Sequence, residues 1–139
     1  MAKAEAPDLK LGLRKTLEKT VRYEWTIAHH DARLPAVLST PAMIGLMEQA
    51  AAEAVWPRLP KGSITVGTRI EVDHLKAAPA GARVRIKARL AEIKGRFLIF
   101  GVEASAGRQL IGKGRVFRAI VEPARFFSKA RRRQGRRAG

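Results

Sequence analysis

The chain has 139 residues, 46% hydrophobic and 29% charged, and carries 28 Lys and Arg against 12 Asp and Glu. That length suits one soluble domain able to bury a core, and the lack of cysteine excludes disulfides, thiolate metal sites and a Cys nucleophile. There is no apolar leader at the N-terminus and no run near the ~20 apolar residues of a membrane span, so a cytoplasmic protein without a membrane span is expected.

Residues 1–19 mix charged and apolar side chains without clear organisation. Val21, Tyr23, Trp25 and Ile27 then alternate with Arg22, Glu24 and Thr26, and this period of two predicts a strand. Residues 28–38 hold His29, His30, Asp31 and Pro35 and read as a loop. Ser39-Thr40-Pro41 is a helix start, with Thr40 as the cap and Pro41 in the first turn, where its missing N–H costs nothing. The helix runs to about Val55 and is apolar nearly all round, so it is expected to be buried on most sides. Four strands follow, over 63–73, 83–93, 97–104 and 109–121, with tight turns at Lys94-Gly95 and Ala106-Gly107. The order of strand, helix and four strands predicts an α+β domain in which a curved antiparallel meander wraps one long central helix.

The charge is uneven. Residues 124–139 hold seven basic side chains and no acid, against 21 basic and 12 acidic in the rest. The expected organisation is an N-terminal segment at 1–20, one domain at 21–123, and a disordered basic tail at 124–139. Basic surfaces attract nucleic acid, anionic lipid or a phosphate-rich small molecule. Aromatic residues make up only 6% and do not interleave with the Arg83, Arg85, Lys87, Arg89 ladder, which argues against nucleic acid.

Among residues able to carry chemistry, Glu48 is the single charge between Pro41 and Ala52, with apolar or small neighbours one turn away at Ile44, Gly45, Ala51 and Ala52. A carboxylate there is expected to be desolvated; the plain alternative is a structural Glu paired with an Arg. His74 ends a strand before a Pro/Gly loop, a position suited to a general base or simply to a solvated loop. The hydroxyl of Thr40 could cap the helix, contact a reacting group, or do both. Gly67 interrupts a β-branched strand, which marks a bulge or a close backbone approach, and a free N–H there could serve an oxyanion. His29 and His30 show no metal-ligand spacing, so neither metal nor cofactor is expected.

The segments LSTPAMIGLMEQAAAEAVWPRLP and GSITVGTRIEVDHLKAAPAG, with IGKGRVFRAIV near the end, resemble the fluoroacetyl-CoA thioesterase family of the hotdog superfamily. The resemblance implies a hotdog fold, a homodimer (or a tetramer of two such dimers) and hydrolysis of an acyl-CoA without a cofactor. It implies a catalytic set of Thr40, Glu48 and His74, a Gly67 N–H that helps bind the thioester carbonyl, and Arg118 in the site. It also sets Leu34 where the fluoroacetyl-specific member has a lid aromatic, and Pro41 where it has glycine, which favours a short-chain acyl-CoA over the fluorinated one. Arg125 and Lys129 are expected contacts for coenzyme A phosphates. Thr40 and Glu48 stand roughly 12 Å apart along a helix axis, so His74, the substrate or a second subunit must join them. A non-catalytic acyl-CoA-binding module and a tail-driven nucleic-acid binder are the alternatives. A hydratase would need an Asp and a His five residues apart on a loop, and that pattern is not evident.

Overall fold

The computed structural model describes residues 6–125, 131–133 and 135. Its elements are β1 (Arg14–Thr20), α1 (Thr40–Val55), β2 (Ile64–His74), β3 (Arg83–Lys94), β4 (Phe97–Ala106) and β5 (Gln109–Val121). The five strands form one antiparallel sheet in the order β1-β3-β4-β5-β2.

The core forms where strand alternation meets the helix. Val84, Ile86, Ala88 and Leu90 of β3 and Leu98, Phe100, Val102 and Ala104 of β4 are buried against Met43, Leu46, Met47, Ala50, Ala51, Ala54 and Val55 of α1. The charged residues of β3 alternate outward, as a half-buried strand requires. Gly95 and Gly107 take positive φ at the two hairpin turns, where glycine carries no steric cost. Bulges lie at residue 68 in the β2–β5 ladder and residue 91 in the β3–β4 ladder, and such extra residues bend a sheet.

Four expectations are corrected. Residues 21–27 are not a strand: Tyr23–Trp25 and Ile27–His29 are 3₁₀ turns. Thr26 Oγ1 donates to Tyr23 O at 2.7 Å, and Tyr23 is 50% exposed while Val21 is buried, so the alternation there is not one of burial. The first strand is instead β1, which the sequence analysis leaves without organisation; it is an edge strand whose one buried apolar side chain is Leu17.

The meander holds only for β3-β4-β5, because β2 crosses to the far edge and pairs with β5. The loop after β2 is held instead by the segment before α1, through Leu38 N–H to Ala78 O and Ala80 N–H to Ala36 O. The helix cap is Ser39, whose Oγ accepts from the Ala42 N–H at 3.2 Å, which leaves the Thr40 hydroxyl free. Nor is α1 covered on most sides within one chain: Pro41, Gly45 and Gln49 are exposed and Ile44, Glu48 and Ala52 half-buried. The expected disorder of 124–139 falls mostly on residues outside the described ones.

Candidate active site

Two polar clusters stand along α1. At its N-terminal turn, Thr40 Oγ1 lies 2.7 Å from His74 Nδ1, at the end of β2. Their meeting depends on Gly112, the cross-strand partner of His74. A Cβ on Gly112 would sit 2.6 Å from Met43 Sδ, so glycine lets the first turn of α1 press onto β5 beside His74. His74 Nε2 is buried and has no hydrogen-bond partner among the described residues. Nδ1 is therefore the nitrogen that works toward Thr40.

Two turns further along, Glu48 Oε2 accepts from Arg118 Nη1 at 3.2 Å. Arg118 is 8% exposed and is held from its other side by Thr65, with Nε donating to Oγ1 and Nη2 to the carbonyl O, each at 2.8 Å. Burial pushes the guanidinium pKa down and Glu48 opposes this, while an arginine remains charged at any ordinary pH. The expected desolvated carboxylate is thus a paired one with 34% of its side chain open. Gly67 faces Arg118 across the β2–β5 ladder, directly under the carboxylate. Both readings of this glycine hold, since the bulge begins at it and a Cβ there would run into Glu48 Oε2.

Glu48 is therefore not joined to Thr40 by His74 within one chain. The clusters are about 12 Å apart along the helix, and Gly67 and His74 are about 23 Å apart along β2. Leu34 stands in the loop before α1, 44% exposed. Arg125 is exposed near the end of the described stretch, and Lys129 lies outside it. Thr65 and Gly112 are not among the candidate residues the sequence offers. Thr65 gives no local signal, because its partner is 53 residues away. The unexplained glycine in the strand text IGKGRV was the available clue to the second.

Gly67→Ala tests the close approach. The clashing atom is the tip of a flexible side chain, so the fold should survive, with Tm lowered because the buried Arg118 loses its carboxylate partner. The carboxylate must swing off Arg118, and misplacement of that size costs up to about 10²-fold in kcat/KM. Steady-state kinetics beside a thermal melt would measure both effects; unchanged kinetics would remove Glu48 placement from the role of Gly67.

Residues 21–124 match the family described as fluoroacetyl-CoA-specific thioesterase. The chain is 37% identical over 115 residues, 83% of each protein, to the fluoroacetyl-CoA thioesterase of Streptantibioticus cattleyicolor. A solved structure of a fluoroacetyl-CoA thioesterase superposes with a TM-score of 0.84 at 35% identity, covering 89% of this chain and 96% of that one. A thioesterase superfamily member from Thermus thermophilus gives 0.86 at 30% identity, covering 94% and 96%. A hot-dog-like protein from Thermanaerovibrio acidaminovorans, 24% identical, shares the fold with a TM-score of 0.83 over 90% of this chain and 93% of that one. The α+β hotdog architecture expected from the sequence is the one observed.

Proposed function

The chain belongs to the fluoroacetyl-CoA-specific thioesterase family, and we propose that it hydrolyses a short-chain acyl-CoA to the free acid and coenzyme A. The observation that carries this reading is the 2.7 Å contact of Thr40 Oγ1 with His74 Nδ1 at the N-terminus of α1. A hydroxyl within hydrogen-bond reach of an imidazole is the arrangement of an activated nucleophile. With the ring proton on Nε2, Nδ1 accepts from the Thr40 hydroxyl and takes its proton as Oγ1 bonds to the thioester carbon. The carbon–sulfur bond then breaks as the imidazolium passes its proton to the departing sulfur, a good leaving group that needs no stronger acid, and Nδ1 is a base again. Water attacks the resulting ester and gives its proton to the same nitrogen, which hands it to Thr40 Oγ1 as the carbon–oxygen bond breaks and the free acid departs.

In this reading the Gly67 N–H polarises the carbonyl and Glu48, fixed by Arg118, orients the water. A second route has water attack directly while Thr40 orients the substrate; the half-open carboxylate of Glu48, a ready base, favours it.

The clusters serve one substrate if two chains contribute. β2 is an eleven-residue edge strand, and such an edge is a template for pairing. The open stripe of α1 lies on its outer face. We place a second copy there as a homodimer, so that Thr40 and His74 of one subunit face Glu48, Gly67 and Arg118 of the other. Among the described residues no helix is long and apolar enough to cross a membrane, and a chain without cysteine suits the cytoplasm. Leu34 and Pro41, standing where the fluoroacetyl-specific pattern has an aromatic and a glycine, suit a plain short acyl group.

Thiol release across a panel from acetyl-CoA to long-chain acyl-CoA is the test. Turnover concentrated in the short chains is expected. Saturable binding without turnover of any member would replace the enzyme by an acyl-CoA-binding module.

A further inference from the structure

The outer face of the sheet, turned away from α1, carries a trough of about 690 Å³. We propose that this trough is a binding site for a small ligand of nucleotide size that carries clustered phosphates.

Its walls are cationic and its floor is bare. Cross-strand register sets Arg14, Arg89, Gly101 and Arg115 in one row over β1, β3, β4 and β5, and Lys87, Glu103 and Lys113 in the next row. Five basic side chains share this outer face, Arg14, Lys87, Arg89, Lys113 and Arg115, against Glu103 and Asp73, an excess of three positive charges. Arg115 is paired with Glu71. Arg14, Lys87, Arg89 and Lys113 make no ion pair among the described residues. Arg14 and Arg89 are direct partners across the β1–β3 ladder, a like-charge placement that destabilises a sheet unless an anion lies between.

Gly101 makes the depth. A Cβ built on it meets nothing within 4 Å, so the missing side chain leaves open space where its row would otherwise be filled. Arginine side chains beside such a floor offer planar forks to phosphate oxygens. No aromatic side chain lines the trough, and single-stranded nucleic acid relies on aromatic platforms for its bases. A trough of this volume without aromatic platforms therefore fits one small polyphosphate ligand better than a polymer.

Isothermal titration of the full chain with adenosine 3′,5′-bisphosphate tests the site without any turnover, so its result stands apart from the fate of the thioesterase reading. Binding should be salt-sensitive and weaken by about tenfold or more in Arg89→Glu, which reverses a phosphate contact. Gly101→Leu should weaken it as much while leaving every charge in place, because the new side chain fills the floor. Its backbone φ is not positive and its Cβ meets no atom, so the variant should fold. Absence of binding in the wild type overturns the proposal. So does a Gly101→Leu variant that binds as the wild type does, or a single-stranded oligonucleotide that binds more tightly than the bisphosphate and ignores both substitutions.

Two sources share this chemistry, the nucleotide end of coenzyme A and a free nucleotide. If Arg89→Glu raises KM for an acyl-CoA and not for the matching acyl-pantetheine, the ligand is the nucleotide end of the substrate. If neither KM moves while bisphosphate binding falls, the ligand is a free nucleotide.

Discussion

His74→Ala should lower kcat for thiol release by about 10²–10⁴-fold, the range for loss of a general base, with little change in Tm. Among the described residues the imidazole makes one hydrogen bond, to Thr40, and its other nitrogen is buried without a partner. Removing it deletes a base but strands no new donor or acceptor in the core, so stability has little to lose. Glu48→Gln should also be strongly impaired, since the amide keeps the size of the carboxylate but not its charge toward Arg118. Kinetics on short-chain acyl-CoA beside a melt of each variant would separate chemistry from folding. Activity within a few-fold of wild type in His74→Ala would remove it, and with it the Thr40 pair, from the mechanism.

Mixing those two inactive proteins should restore activity. If each site takes Thr40 and His74 from one subunit and Glu48 from the other, a dimer of one His74→Ala chain and one Glu48→Gln chain has one intact site and one doubly damaged site. Random exchange makes half of the dimers mixed, so recovery should approach about a quarter of wild-type activity. Sites contained within single chains would give no recovery, because every site would carry one lesion. The basis for expecting recovery is distance: nothing within one chain closes the gap of about 12 Å between the clusters. Co-expression with two affinity tags and assay of the doubly purified species, all of it mixed dimer and so expected at about half of wild-type activity, would decide it.

The central helix and the last four strands were legible because their signals are local. Alternation in residues 83–90 matches burial residue by residue, and the helix begins within one residue of its start signal. β1 was hidden because only Leu17 among its side chains reaches the core, so charged residues dominate its pattern. The pairing of β2 with β5 was illegible for another reason: strand neighbours far apart in sequence are chosen by the whole sheet. The site followed the same division. Glu48, His74 and Gly67 stood out as anomalies in their own segments, while the Thr65–Arg118 clasp exists only once β2 and β5 lie side by side. Between two readings of Thr40 the local rule favoured the cap, and Ser39, one residue earlier, took that role.

The bulge at residue 68 settles a matter of odd and even. Thr65 and Gly67 pair with Ile120 and Arg118, whereas Ile70, Val72 and His74 pair with Val116, Gly114 and Gly112. The β5 partners are all even-numbered, so they share one face of an unbroken strand, the face turned to α1. On β2 the helix-facing set changes from odd to even numbers across Thr68. Were β2 paired regularly through Thr68, with no bulge to absorb it, the seven steps from Gly67 would turn His74 to the outer face, among the arginines and away from Thr40. A strand with this same sequence but paired without the bulge would keep every site residue and lose the site.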